Sequence, residues 1–378
     1  MKVTMVVSTL TAGGAERAVV NMANHWASVP GWRPTILTTS QRGRPIAYDL
    51  DPRVIVRDIG WPRMAEDGEM DRETVRAITG ALDLDDPVND TLLASIILLV
   101  LLRRSIVMTR PDAVISLIDV MNVRVLAATE GLPIRRFVSE RCDPWRTSIG
   151  IFEPLRRRLY PRADGVIAQT AEAARYFGRF GGRCHAIPNV VVAPPPGERV
   201  RDSKKRLVAL ARLVAFKKLN LLIRAFAHIA DRHPEWQLDI WGEGPQRPFL
   251  ESVIEQVNGD GRIRLRGHAR DVYEVLRGAD LFAMTSTTEG FPNALCEAMA
   301  CGVPAVVIDS GAGVRGIVRN GIDGMLVDAG GPEQFSVALD AIMSDDARRA
   351  RLAARAPEIV ERFSAARVMR QWEEVLSS

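Results

Sequence analysis

Two runs of four apolar residues, Leu281–Met284 and Ala305–Ile308, bracket a segment too long for a hairpin turn. A short, wholly apolar run suits a strand covered on both faces, as in a parallel sheet packed between helices. The intervening TSTTEGFPNALCEAMACGVP reads as a loop and a short helix. Pro292 suits the first helical turn, Gly302 a C-terminal cap, and Pro304 blocks continuation. Strand, loop, helix, strand is the repeating unit of an α/β fold, and the rest of the chain is read around it.

Only two charges stand between these strands, Glu289 in the loop and Glu297 on the helix. The helix is otherwise small or apolar, so Glu297 is expected to be partly buried. A buried carboxylate is costly unless partnered, which suggests a hydrogen-bonding ligand such as a diol. Glu289 precedes a helix N-terminus, where free backbone N–H groups meet polar ligand atoms. The plainer alternative makes Glu289 a helix cap and Glu297 a solvated side chain. The whole stretch, down to GFPNALCEAMACGVPAV, resembles the E-x7-E signature of retaining glycosyltransferases of family 4. That resemblance implies that Glu289 contacts the transferred sugar and Glu297 grips the nucleotide ribose. It also places Gly290, Phe291, Pro292 and Asn293 among the substrate-binding residues.

A chain of 378 residues exceeds one typical core and implies two α/β domains. A net charge of +4 is too small to argue nucleic-acid binding, and no basic run is interleaved with aromatics. Arginine is clustered locally at Arg103–Arg104, Arg135–Arg136 and Arg156–Arg158. The four cysteines form no CxxC pair and have no zinc-site spacing, so a reduced cytosolic protein without metal or cofactor is expected. MKVTMVVS reads as a first strand, not a signal peptide.

That strand runs into a loop with Gly13 and Gly14 and then a helix, an arrangement that brings ligand to backbone at a helix N-terminus. TAGGAE is not GxGxxG, and PTILTTS ends without the acidic residue a dinucleotide ribose needs, which argues against a nicotinamide site. In the resembled family this loop lies near donor phosphates and acceptor, making Gly14 and Glu16 substrate-binding candidates. Asp83, Asp85 and Asp86 look like a metal-binding DxD but fall among helix breakers and read as a solvated loop or cap. Leu92–Leu102 is the most apolar run; eleven residues are too few to span a bilayer, so it reads as a core helix. A membrane-surface role beside Arg103–Arg104 is the minority alternative. Asp119 and Glu140 follow expected strands at the carboxyl edge of the sheet, where α/β domains bind ligands. Many family members carry a histidine near the position of Asp119; this chain does not, and Asp119 is the candidate acceptor-side group.

The run Ala193–Gly197 (APPPG) reads as a linker, with the domain boundary near Val191. Beyond it, RLVALARL leads to Arg212 and Lys217, five residues apart across a strand end and loop, a spacing suited to clamping a diphosphate. Their setting resembles the family's GRLxxxKG motif, with Ala211 for the first Gly and Lys218 for the last. Gly242 sits in the tight turn GEGP, and Arg266 and Gly267 occupy the family's position beside the nucleobase. Gly316 stands where the family commonly has Glu.

The resemblance implies the GT-B fold: two Rossmann-like α/β domains with parallel sheets facing a central cleft. The expected divisions are an acceptor-binding domain over 1–190, a nucleotide-sugar domain over 191–363, and a C-terminal helix over 364–378 packing on the first. The implied reaction is retaining, metal-independent sugar transfer, with Glu289, Arg212, Lys217 and Asp119 in catalytic roles. The implied partners are a nucleotide-sugar donor, UDP-sugar ahead of GDP-mannose, and a glycan or polyprenyl-diphosphate-linked acceptor. Peripheral contact with an anionic membrane at its cytosolic face accompanies that expectation. The alternatives are a GDP-mannose-dependent mannosyltransferase, an epimerase-type enzyme, or a non-catalytic sugar-nucleotide-binding protein.

Overall fold

The computed structural model describes residues 1–11, 13–60, 87–145, 148–198, 204–259 and 261–378, with backbone alone over 87–94. Asp83, Asp85 and Asp86 lie outside the described residues. The chain forms two compact units, residues 1–187 with 369–378, and residues 188–368.

The first unit holds a seven-stranded parallel sheet: β1 (Lys2–Val7), β2 (Arg33–Thr38), β3 (Ile55–Asp58), β4 (Ala113–Leu117), β5 (Arg135–Ser139), β6 (Gly165–Ala168) and β7 (Cys184–Ala186). The spatial order is β3-β2-β1-β4-β5-β6-β7, so the winding reverses between β1 and β4. Ligands of open α/β sheets bind outside the carboxyl ends of the strands at such a reversal. β1 and β4 are almost wholly buried, which is why they read as apolar runs. β3 was not legible, because all four of its residues are half-buried or exposed. The Leu92–Leu102 run belongs to a helix of 23 residues, Pro87–Thr109. Leu98, Leu102 and Ile106 face the core at intervals of four, while Ile96, Val100, Val107 and Met108 are exposed. The expectation of a core helix therefore holds for one face only. Among the described residues no helix is long and apolar enough to cross a membrane.

The second unit holds a six-stranded parallel sheet: β8 (Lys205–Leu210), β9 (Trp236–Trp241), β10 (Ile263–Gly267), β11 (Leu281–Met284), β12 (Ala305–Ile308) and β13 (Gly324–Val327). Its order is β10-β9-β8-β11-β12-β13, reversing between β8 and β11. Leu207, Ala209, Leu238, Ile240, Ala283 and Val306 pack on the helices of one face. Val208, Phe282, Ala305 and Val307 alternate with them onto the other. The APPPG run lies against this unit: Val191 N–H donates to Phe363 O at 2.9 Å, and Arg277 donates to Pro195 O at 3.2 Å.

Candidate functional site

The loops leaving β8 and β11 meet at the reversal of the second sheet, and they carry the best-defined cluster of candidate site residues. The loop after β8 is held from both sides. Ala211 and Leu213 donate backbone N–H bonds to Trp241 O and Glu243 O at 3.0 and 2.9 Å. This close approach requires Gly242, whose φ is 138° and whose added Cβ would overlap the carbonyl oxygen of Ala211. Between those pinned residues the Arg212 side chain is exposed. Further on, Thr285 Oγ1 donates to the carbonyls of Lys217 and Lys218 at 3.0 and 3.1 Å, and Thr287 N–H to Phe216 O at 2.9 Å. Lys218 adopts φ 49°, ψ 38°, the left-handed conformation for which the resembled motif uses glycine.

Lys217 and Glu289, 72 residues apart in sequence, form an ion pair with Nζ 2.6 Å from Oε1. Both are largely buried, at 17% and 11% side-chain exposure. Glu289 is therefore not a helix cap but the partner of the loop lysine. The helix Asn293–Ala300 starts just beyond it. Pro292, with extended ψ of 91°, is its N-cap residue and not its first helical residue. Gly302, at φ 74°, ends it as expected. Gly290, Phe291 and Pro292 form the turn before the helix, and the last two are buried. Asn293 Oδ1 accepts from Asn189 Nδ2 at 3.0 Å. Glu297 is half-buried on the same helix, one turn further on. The turn is backed by Gly313, where an added Cβ would overlap Glu289 O and lie 2.6 Å from Gly290 O. Nothing in the sequence alone pointed to Gly313.

Arg266 and Gly267 end β10. Arg266 Nε donates to Asp239 Oδ1 at 2.7 Å, and Asp239, on β9, is 1% exposed. Among the described residues its Oδ2 has no hydrogen-bond partner, with Arg206 Nη1 3.7 Å away. These side chains line a cavity of about 650 Å³ with Trp241, His268 and Asp271. Sequence reasoning named Arg266 but missed Asp239, which reads as an ordinary strand residue.

In the first unit, Gly14 opens the helix Gly14–Ser28, with Glu16 in its first turn. Tyr48 fastens this loop, its hydroxyl accepting from Gly13 N–H at 2.8 Å and donating to Gly13 O at 2.7 Å. Asp119 opens the helix Asp119–Ala128, immediately after Ile118 at φ 76°. A β-branched residue in that region is strained, a feature concentrated at functional sites. Glu140 follows β5 directly and is 2% exposed. The two carboxyls, 21 residues apart in sequence, come within hydrogen-bonding reach because β4 and β5 are adjacent. Burial first, and the Asp119 charge second, push the Glu140 carboxyl up to about 8, against the Tyr160 hydroxyl and Arg156. The arginine clusters are mostly engaged. Arg103 donates to the carbonyls of Ala128 and Glu130, Arg135 to those of Val375 and Leu376, and Arg136 to Arg162 O. Among the described residues no group of three His, Cys, Asp or Glu side chains is placed to hold a metal ion.

Two Rossmann-like units, each built on a parallel sheet with candidate site residues at its reversal, define a GT-B α/β protein. The fold matches S. aureus TarM, solved as a mutant in complex with fondaparinux, alpha-GlcNAc-glycerol and UDP, at TM-score 0.79 and 14% identity over all of both chains. Residues 195–359 match the family model described as glycosyl transferases group 1. The lipopolysaccharide core biosynthesis glycosyltransferase LpsE of Rhizobium meliloti is 31% identical over 60% of this chain and 67% of its own length. The chain belongs to the glycosyl transferases group 1 family. An exopolysaccharide phosphotransferase of Streptomyces coelicolor is 29% identical over 97% of this chain and 39% of its own length. A Campylobacter jejuni alpha-1,4-N-acetyl-D-galactosaminyltransferase, named for a diNAcBac-PP-undecaprenol-linked acceptor, is 21% identical over 100% of this chain and 98% of its own. The chain spans about half or less of the first curated relatives it matches.

Proposed function

We propose that the chain transfers a sugar from a nucleoside-diphosphate donor, UDP-sugar first, to a glycan or polyprenyl-diphosphate-linked acceptor. Transfer proceeds with retention at the anomeric carbon and without a divalent metal. The observation that carries this reading is the Lys217–Glu289 pair at the β8/β11 reversal, with Arg212 exposed on the same loop. Breaking the bond from sugar to diphosphate leaves negative charge on the phosphate and positive charge on the sugar ring. Lys217 and Arg212 meet the first, and a pre-positioned cation stabilises developing charge without reorganising. Glu289, held in place by Lys217, accepts hydroxyls of the sugar as its ring flattens. Glu297 accepts the ribose hydroxyls. The leaving phosphate oxygen takes the acceptor's proton, so charge and protons balance without a strong side-chain base. Asp119 and Glu140 serve the acceptor, with Gly14 and Glu16 at the first sheet's glycine loop.

The UDP preference draws on the TarM structure having been solved with UDP, and the lipid-linked acceptor on the Campylobacter relative. A peripheral membrane contact draws on the exposed Ile96, Val100, Val107 and Met108 beside the exposed Arg104. Thermal shift and nucleotide release over UDP-, GDP- and ADP-sugars, with and without EDTA, test the enzyme reading. Stabilisation by UDP and EDTA-resistant release of UDP support it, since a ligand stabilises by mass action. GDP-selective stabilisation overturns the base assignment, and activity restored only by manganese overturns metal independence. Vesicle flotation with anionic lipid tests the membrane contact, which fails if the protein stays at the bottom of the gradient.

A further inference from the structure

The carboxyl pair of the first unit does more than line a site. We infer that Asp119 and Glu140 share one proton and act together as a hydrogen-bond acceptor for the attacking hydroxyl, with Asp119 touching it and Glu140 as a positioning residue. This deepens the proposed function and rests on it for the identity of the hydroxyl.

Both side chains are buried, Asp119 at 8% and Glu140 at 2% exposure. Two carboxyls can hydrogen-bond each other only if one keeps its proton, because neither carboxylate donates. The surroundings assign that proton to Glu140. Ser116 Oγ pairs with Asn122 Oδ1 at 2.8 Å, and Asn122 Nδ2 donates to Ser139 O at 3.1 Å and to the Tyr160 oxygen at 3.4 Å. With its oxygen receiving that bond, Tyr160 donates its own proton to Glu140 Oε1. The acid proton of Glu140 is then left to turn towards Asp119, which lies within hydrogen-bonding reach. Arg156, 2% exposed, stands 4.0 Å from Glu140 Oε1, but its other nitrogen lies 2.6 Å from Glu153 Oε2, so its charge is divided between two carboxyls. Arg141, lowered to about 10 by burial, also faces Glu140, and the Cys142 thiol, within hydrogen-bonding reach of Asp119 and facing Glu140, is pushed up, mainly by burial. Burial outweighs these cations, and Glu140 keeps its proton at neutral pH.

Asp119 Oδ1 is what this wiring leaves over. Among the described residues it is a buried oxygen without a hydrogen-bond partner. Native proteins rarely tolerate that unless water or a ligand completes the bond. The strained Ile118 holds it there, at the carboxyl edge of β4 beside the sheet reversal. An acceptor hydroxyl is a donor of the right size. The pair also sets a pH limit. Glu140 carries its proton below about 8, and above that it has no proton left to offer Asp119.

Two measurements test this. In infrared spectra, wild type should show a protonated-carboxyl band at pH 7 that titrates near 8, absent in Glu140→Gln. That readout needs no activity, so it separates this inference from the glycosyltransferase reading, which fails if no donor releases nucleotide. In steady-state assays, kcat/KM for acceptor should fall about tenfold per pH unit above the limit, with donor KM flat. Glu140→Gln, which still donates N–H but cannot ionise, should flatten that limb. Tyr160→Phe should move it upward, because the Tyr160 bond favours the charged form. Asp119→Asn should raise acceptor KM by about tenfold or more across the range. Absence of the band at pH 7, an unchanged limb in Glu140→Gln, or wild-type acceptor KM in Asp119→Asn would each overturn the inference.

Discussion

A buried ion pair such as Lys217–Glu289 is better suited to fixing geometry than to adding stability. Withdrawing two charges from water costs about as much as their attraction returns, so such a pair is weak evidence of stabilisation. What it supplies is position: Thr285 fixes the lysine backbone, and the lysine fixes the carboxylate. The two glutamates should then differ in kinetics. If Glu297 holds the ribose as proposed, Glu297→Gln removes a contact made equally before and during reaction, so donor KM should rise ten- to hundredfold, the effect of about 1.5–3 kcal/mol, with kcat nearly unchanged. Glu289→Gln should lower kcat by a larger factor than it raises donor KM. Varying donor at saturating acceptor measures both, and wild-type kcat in Glu289→Gln would refute the assignment. Lys218 gives a second prediction at this scale. Its left-handed backbone disfavours any residue with a Cβ, whereas glycine adopts it freely at some entropic cost in the unfolded chain. Lys218→Gly should therefore gain about 0.5–1 kcal/mol, a rise of about 1–4 °C in Tm for a unit of this size. A lower Tm would mean that the Lys218 side chain contributes more than its backbone costs.

Among the elements, those legible in the sequence were those whose burial leaves a signature. β11, β12 and the helix between them were readable because both strands are buried on two faces and Gly302 and Pro304 end the helix. β3 and the outward face of the helix Pro87–Thr109 were not, because half-exposed strands and exposed apolar residues carry no clean period. Contacts made by folding were equally hidden. Nothing local pairs Asp119 with Glu140, sets Tyr48 on Gly13, or turns Arg135 from a surface cation into the cap of a C-terminal helix. The four-residue helix Ala312–Arg315 is such a case: its Gly313 lies against the carbonyls of Glu289 and Gly290. Backbone cannot yield as a flexible side chain can, so Gly313→Ala must push the Glu289 turn away. Overpacking of this kind costs about 1–3 kcal/mol. A small misplacement of a catalytic group costs about a hundredfold in rate. Gly313→Ala should thus stay folded, by circular dichroism and Tm, while losing most of its kcat. Wild-type kcat would show that the turn accommodates the methyl group without moving Glu289.

At the scale of the molecule, each unit has its own parallel sheet, yet the chain's last ten residues belong to the first unit and not to the second that precedes them. The helix Ala365–Ser377 makes this return, burying Met369, Trp372, Val375 and Leu376. Trp372 meets Trp26 edge-on at 6.5 Å, and Trp26 stacks on Trp32 at 5.0 Å. Glu373 bonds His25 at 3.2 Å, and Arg135 donates to Val375 O at 3.2 Å. Truncating a fully buried tryptophan leaves a cavity as well as lost burial, a penalty of about 3–5 kcal/mol. Trp372→Ala should therefore lower the Tm of the first unit by about 10 °C. The two sheets make separate predictions for hydrogen exchange, because stability is distributed among cooperative units and not spread evenly. Amides of β1, β2 and the helix Gly14–Ser28 should exchange faster in Trp372→Ala, while those of β8, β11 and β12 keep their wild-type rates. Adding UDP should still protect the second set, since Arg212, Lys217, Glu289 and Glu297, which the proposed function assigns to the donor, all lie in the second unit. Equal acceleration in both sets would mean that the chain unfolds as one block, and the division into two units would not describe its energetics.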